Sequence, residues 1–206
     1  GKYTVLNCSV NPETGREADT HLHPVLPHRA KRVLIIGAGL AGMEAARVLS
    51  ERGHEAVIVE ASDHIGGVVL AGGQPSFKED DLALLDWYRT TLEELGVEIR
   101  LNTPATADLI ASFGADHIIL ATGSTPRRLD LGDDTTVVDA TDALLHRDSL
   151  GKRIVIIGGG LTGCELALAM REAEAEVTIV EAEPDILTRN APLCAANEDM
   201  LRRLVP

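Results

Sequence analysis

Two segments of the chain share one pattern of apolar and polar positions. Residues 31–61 read KRVLIIGAGLAGMEAARVLSERGHEAVIVEA and residues 152–182 read KRIVIIGGGLTGCELALAMREAEAEVTIVEA. Aligned without a gap, 16 of 31 positions are identical at a constant offset of 121. Each copy opens on an apolar run (Val33–Ile36; Ile154–Ile157) and turns through glycines. It continues through a stretch rich in Ala and Leu and closes on a second apolar run ending in glutamate (Val57–Glu60; Val177–Glu181). Strand-sized runs flanking a helical stretch predict a βαβ unit, and two such units predict parallel sheets.

The rest of the chain is read around these copies. Apolar positions at Leu82, Leu85, Leu92 and Leu95 predict a helix over Glu79–Leu95, with Gly96 as its C-cap. Val97–Leu101 and His117–Leu120 read as short strands, and Pro192–Pro206 is mostly helical in pattern. Residues 1–30 are rich in turn signals without a period and form an irregular lead-in. A first domain over 31–125, a connection over 126–150 and a second domain over 151–206 follow. One strand–helix–strand unit plus a tail is a thin base for an independent parallel sheet. The second domain is therefore expected to be incomplete, and the chain a piece of something longer.

The glycines carry the chemistry. Gly37, Ala38, Gly39, Leu40, Ala41 and Gly42 follow a strand and open a helix, and Glu60 lies 18 residues beyond Gly42. Gly37 permits the tight turn, Gly39 lets the backbone approach a pyrophosphate, and Gly42 lets the helix pack closely on the strand. Phosphates then meet the free N–H groups and dipole of the helix N-terminus. Glu60 is placed to accept from an adenosine ribose. Gly158, Gly160, Gly163 and Glu181 repeat the set. Ala182, Glu183, Pro184 and Asp185 follow, so no Arg or Lys stands there for a 2′-phosphate; if this site takes a nicotinamide nucleotide, NADH is favoured over NADPH, with Arg189 a distant cation. The expected fold is α/β, with two Rossmann-like βαβ dinucleotide-binding units on parallel sheets, the second incomplete.

Composition narrows the partners. The 206 residues carry 32 acidic against 19 basic side chains, a net charge of −13. That balance argues against nucleic acid and against an anionic membrane surface. No apolar run reaches membrane-spanning length, no secretory signal opens the chain, and the three cysteines are scattered. A reducing cytoplasm is the expected compartment.

Tandem units of this kind resemble the two-dinucleotide-binding flavoproteins, in which FAD sits on the first unit and NAD(P)H on the second. Ile65-Gly66-Gly67 matches the glycine pair near the flavin pyrophosphate, and Ala121-Thr122-Gly123 resembles the family's second signature, where the chain leaves the FAD domain. Ala61 follows the first acid. The stretch from Cys8 through Asn11-Pro12 to Glu17 resembles the segment before the FAD domain in the iron–sulfur flavoenzymes related to 2,4-dienoyl-CoA reductase, trimethylamine dehydrogenase and histamine dehydrogenase. The resemblance implies FAD, or ADP alone, on the first unit and NADH on the second. In the complete enzyme it implies an FMN barrel and a 4Fe–4S cluster, with Cys8 as fourth cluster ligand in the longer chain. The partner is then the remainder of a larger flavoenzyme that reduces an enoyl substrate or oxidises an amine. A non-redox ADP-binding scaffold, and a partner subunit acting as NADH-dependent flavin reductase, are the rival readings; a homo-oligomer stays open.

Other residues read as structural. No close cysteine pair occurs, which disfavours disulfide-reductase chemistry, and Cys164 reads as a small buried residue. His21, His23 and His28 lack acidic or thiolate partners at ligand spacing and read as solvated loop histidines. Glu44 and Glu165 place favourable charge near helix N-termini. One of Trp87 and Tyr88 is expected to pack on the sheet, while Asp80, Asp81, Asp86, Glu93 and Glu94 form the solvated face of their helix. No side-chain acid or base is assigned a catalytic role, because hydride transfer uses the cofactor.

Overall fold

A computed structural model describes residues 8, 10–11, 13–18, 23–127, 129, 132, 137–188 and 193–205. The elements run β1 (Arg32–Ile36), α1 (Leu40–Glu51), β2 (Glu55–Val59), α2 (Val68–Gly72), α3 (Glu79–Glu94), β3 (Glu98–Arg100) and α4 (Ala107–Phe113). There follow β4 (His117–Leu120), α5 (Ala140–Leu145), β5 (Arg153–Ile157), α6 (Leu161–Glu172), β6 (Glu176–Val180) and α7 (Ala195–Leu204). The chain divides into two compact units, one of Gly1–Val69 with Asp80–Ser124, the other of Leu70–Glu79 with Thr125–Pro206.

The first unit is built on a four-stranded parallel sheet in the order β3-β2-β1-β4. Val33 pairs with Ala56 on one side and with His117 on the other, and the register continues to Ile36 opposite Val59 and Leu120. The central strands are buried on both faces, which is why they read as unbroken apolar runs. On one face Leu34, Ile36, Val57 and Val59 pack with Phe113, Leu109 and Ile110 of α4. α1 packs along β1 and β2, with Met43 and Ala46 fully buried.

Local chemistry sets the helix ends. The Thr106 hydroxyl accepts from the N–H of Leu109 at 3.2 Å to start α4, and Gly114 ends it at φ +71°. Past α3, the N–H of Val97 reaches the carbonyl of Leu92 and that of Gly96 the carbonyl of Glu93, a Schellman closure on the expected glycine. Tyr88 is the buried member of the aromatic pair and Trp87 is exposed. The contact in view for Tyr88 is with α1: its hydroxyl donates to Glu44 at 3.0 Å. Burial and the Glu44 charge push the phenol up to about 12. Glu44 also pairs with Arg47. Of the acidic residues on α3, Asp80, Asp86, Glu93 and Glu94 are exposed and Asp81 is half-buried.

The second unit carries a two-stranded parallel sheet, β5 paired with β6. Its core gathers Ile156, Cys164, Leu166, Ala167 and Met170 with Ala143 of α5 and Leu201 of α7. The opposite sheet face, carrying Val155, Ile157 and Val180, is exposed. These are the residues equivalent, at the 121 offset, to Leu34, Ile36 and Val59, which α4 helps to bury in the first unit. The stretch expected as a plain connection, 126–150, contains α5. Asp139 starts that helix by accepting from the N–H groups of Thr141 and Asp142. Within the same unit the Ser76 hydroxyl donates to Glu172 and the Lys78 ammonium to Glu165, fixing the short stretch before α3 onto α6.

Candidate dinucleotide sites

The first site forms at the carboxyl ends of β1, β2 and β4, the end of a parallel sheet at which ligands bind. Gly37 has φ +109°, and a Cβ there would lie 2.4 Å from the carbonyl oxygen of Ala121. Only glycine serves where the chain turns sharply and the backbone after β4 presses on it. That contact brings Ala121 and Thr122 against the first glycine turn, followed by Gly123 at φ +66°. At Gly42 an added Cβ would sit 1.9 Å from the oxygen of Gly37, so α1 approaches β1 as closely as backbone allows.

Gly39 is different. Nothing lies within 4 Å of the Cβ it lacks, so its open side faces space in front of α1. It stands at the N-cap without a side-chain cap, and the first helical bond runs from Met43 to its carbonyl. The N–H groups of Leu40, Ala41 and Gly42 therefore have no acceptor within the helix. Gly66 and Gly67 border it: Gly66 bridges Gly39 and donates to the Ala38 carbonyl at 2.9 Å. A Cβ on Gly67 would be 3.2 Å from the Gly39 Cα. An open cradle of backbone donors walled by glycine fits a pyrophosphate.

Glu60 lies just past β2 and is tied to this turn. Its Oε2 accepts from the Ala38 N–H at 2.7 Å, and its Oε1 from the Ser62 N–H and hydroxyl at 2.8 and 2.9 Å. Partial burial works against its charge, but the Ala38 and Ser62 donors overcome it and hold the carboxyl below its ordinary range. A carboxylate has about four acceptor positions. The Ala38 and Ser62 donors take three of them. Ala61 contributes its backbone N–H to the same carboxylate.

The second site repeats the design. Gly158 has φ +108°, Gly160 stands at the N-cap of α6, and a Cβ on Gly163 would lie 1.9 Å from the Gly158 oxygen. Glu181 accepts from the Gly159 N–H at 2.5 Å and the Glu183 N–H at 2.9 Å, the counterparts of Ala38 and Ser62. Among the described residues no atom presses on Gly158 as Ala121 presses on Gly37. Cys164 is buried, its thiol 3.4 Å from the Gly159 carbonyl, and desolvation pushes its pKa up, as an inert packing residue requires.

The chain pattern left two features of these sites unread. One is Ser62, whose hydroxyl joins the Glu60 clasp. The other is the extension of the repeat: Ile65 and Ile186 are identical at the same offset, and Gly66 and Leu187 both have positive φ and both donate to the glycine turn. Carrying the gapless alignment past residue 61 to that isoleucine would have found it. Cys8 is exposed, with its thiol lowered by the N–H groups of Val10 and Asn11. Among the described residues no group of three or more His, Cys, Asp or Glu is placed to hold a metal ion. His23 and His28 are exposed; His21 and Arg189 lie outside the described residues. No described helix is long and apolar enough to cross a membrane.

Known proteins fit this geometry. The NAD(P)-binding Rossmann-like domain family matches residues 35–81, and the pyridine nucleotide-disulphide oxidoreductase family matches residues 109–203. Cinnamate reductase from Clostridium sporogenes is 47% identical over 203 residues, covering 98% of this chain and 30% of that protein. This chain corresponds to the FAD- and NAD-binding region of that flavoenzyme group. An NADH oxidase from Thermoanaerobacter brockii is 38% identical over 91% of the chain and 30% of its own length. The structure of a 2-naphthoyl-CoA reductase complex superposes with a TM-score of 0.87 at 34% identity, over 98% of this chain and 30% of that one. The module thus spans about 30% of the length of the relatives it matches. Cys8, Cys164 and Cys194 are all free thiols in this structure.

Proposed function

We propose that the chain is the electron-entry module of a larger flavoenzyme that takes electrons from NADH and reduces an unsaturated acyl substrate. FAD binds at Gly37, Ala38, Gly39, Leu40, Ala41, Gly42, Glu60, Ala61, Gly66, Gly67, Ala121, Thr122 and Gly123; NADH binds at Gly158, Gly160, Gly163 and Glu181. FMN and a 4Fe–4S cluster belong to the remainder of that enzyme, with Cys8 as one cluster ligand, and the compartment is the cytoplasm. The observation that carries the reading is the repeated clasp: each acid is gripped by the N–H at the heart of its own glycine turn. That grip keeps the carboxylate ionised and aimed, so it accepts from a ribose diol and repels a 2′-phosphate.

Nicotinamide and flavin supply hydride and electron transfer when bound. The chain's own residues do the rest. The backbone N–H groups at the starts of α1 and α6 neutralise the pyrophosphates, Glu60 and Glu181 orient the adenosine ends, and the glycine walls exclude side chains from the phosphate path. Reduction of an unsaturated acyl group is favoured over amine oxidation by the 47% identity over 203 residues to a cinnamate reductase, against 37% over 121 residues to an N,N-dimethylglycine/sarcosine dehydrogenase.

The test is the visible spectrum of the purified protein, followed by anaerobic titration. A bound flavin band that NADH bleaches, with NADPH at least ~10-fold less effective, a difference of about 1.4 kcal/mol, is the expected result. A colourless protein that releases ADP on denaturation would replace the redox reading of the first site with the ADP-scaffold reading.

A further inference from the structure

The two units differ in what holds the strap that runs from each acid back over its glycine turn. In the first unit the strap ends on Gly66, which takes its positive φ at no steric cost. In the second the equivalent residue is Leu187, at φ +63°, a conformation that leucine rarely adopts. Its N–H still donates to the carbonyl of Gly159, at 2.8 Å, as that of Gly66 does to Ala38. The Ile186 side chain leans on the same turn: a Cβ on Gly159 would be 2.8 Å from its Cγ2.

Something must hold this strap in place of glycine's freedom. Leu187 is buried in the core of the second unit, with Leu201 and Val205 in the same cluster. Arg202 grips the strap from α7. Its Nη1 donates to Asp185 at 2.7 Å and its Nη2 to the Ile186 carbonyl at 3.1 Å, while its Nε donates to Glu198 one turn back at 3.0 Å. The first unit has His64 at the place of Asp185, and that ring pairs with its neighbour Asp63.

We propose that Arg202 is a positioning residue for the second dinucleotide site: it fixes Asp185 and Ile186, which fix the Gly159 peptide, which holds Glu181 and the phosphate turn. Arg202 touches no nucleotide in this account; it acts through the strap. The inference rests on the reading that the second site takes NADH. It makes α7, a helix outside the repeated motif, the element on which nucleotide affinity depends.

The test compares the wild-type protein with Arg202→Met, Arg202→Lys and Asp185→Asn. Asp185→Asn loosens the same grip from the strap side without altering α7. Two readouts are taken: hydrogen–deuterium exchange of the ligand-free protein over residues 181–188, and the Kd for NADH by calorimetry. Arg202→Met is expected to speed exchange of the Leu187 amide and to weaken NADH by about 10-fold, with first-unit exchange and flavin retention unchanged. Asp185→Asn should shift both readouts the same way. Arg202→Lys keeps a charge for Asp185 but loses the fork to the Ile186 carbonyl, so it should fall between the two. Unaltered exchange in Arg202→Met and Asp185→Asn, or faster exchange with an unaltered Kd, overturns the proposal. If the wild type binds neither NADH nor NADPH, the reading of the second site fails first; faster exchange in the variants would then mark a clamp with no part in nucleotide binding.

Discussion

Gly39 and Gly42 lie three residues apart on one turn, yet a methyl group has opposite consequences at the two. At Gly42 the new Cβ would lie 1.9 Å from the Gly37 oxygen, a backbone atom that cannot swing aside. Gly42→Ala should therefore push α1 off β1 and cost about 1–3 kcal/mol, the range for overpacked cores. At Gly39 nothing lies within 4 Å and the backbone is extended, so alanine fits the fold. Losing a glycine N-cap should cost no more than ~1 kcal/mol. The methyl then occupies the space in which the pyrophosphate would sit, so Gly39→Ala should lower flavin retention at least ~10-fold while the urea midpoint scarcely moves. Urea melts and flavin content of the two variants check this. A Gly42→Ala protein as stable as wild type would refute the close-packing account. Spacing alone reveals the acid at residue 60 but not its clasp. Ala38 and Glu60 are 22 positions apart, and a hydrogen bond between them exists only once β1 and β2 are side by side.

At the scale of elements, identical patterns take different environments. Leu34 and Val155 are the same position of the repeat, but Leu34 is fully buried and Val155 is 65% exposed. α4 lies over the first and no described element lies over the second. Leu34→Ala should cost about 2–5 kcal/mol as a core truncation. Val155→Ala should stay within about 0.5 kcal/mol, because little surface is removed from water in the first place. Paired denaturant melts decide it, and a large loss in Val155→Ala would mean that this face is covered in solution. The same comparison explains what was legible. The strands and the helices following glycine turns announce themselves through apolar runs and period, and they lie where expected to within about two residues. α4 and α5 escape because they are only seven and six residues long, too short for a period to register. Their signatures are caps: Thr106 with Gly114 around one, Asp139 before the other. Such polar residues recur in every loop and acquire meaning only when an apolar face, here that of Leu109, Ile110 and Phe113, finds a sheet to cover.

For the whole molecule, the two units should not melt as one. The first encloses a four-stranded sheet, with its central strands buried on both faces. The second rests on a two-stranded sheet with one apolar face in water. Sheets of two strands depend on the helices packed against them, here α6 with α5 and α7. Urea unfolding followed by hydrogen exchange should therefore show residues 153–180 opening at lower denaturant than residues 32–59. Ligands sharpen the test, because each should stabilise only the unit that binds it. At a hundred times its Kd a nucleotide adds about 2.7 kcal/mol to the state it binds. NADH should raise the midpoint of the early transition and leave the late one in place, and FAD should do the reverse. A single transition that both ligands shift equally would mean the units fold as one cooperative body. The energetic independence suggested by their separate cores would then be wrong, and nucleotide at one glycine turn would be felt at the other.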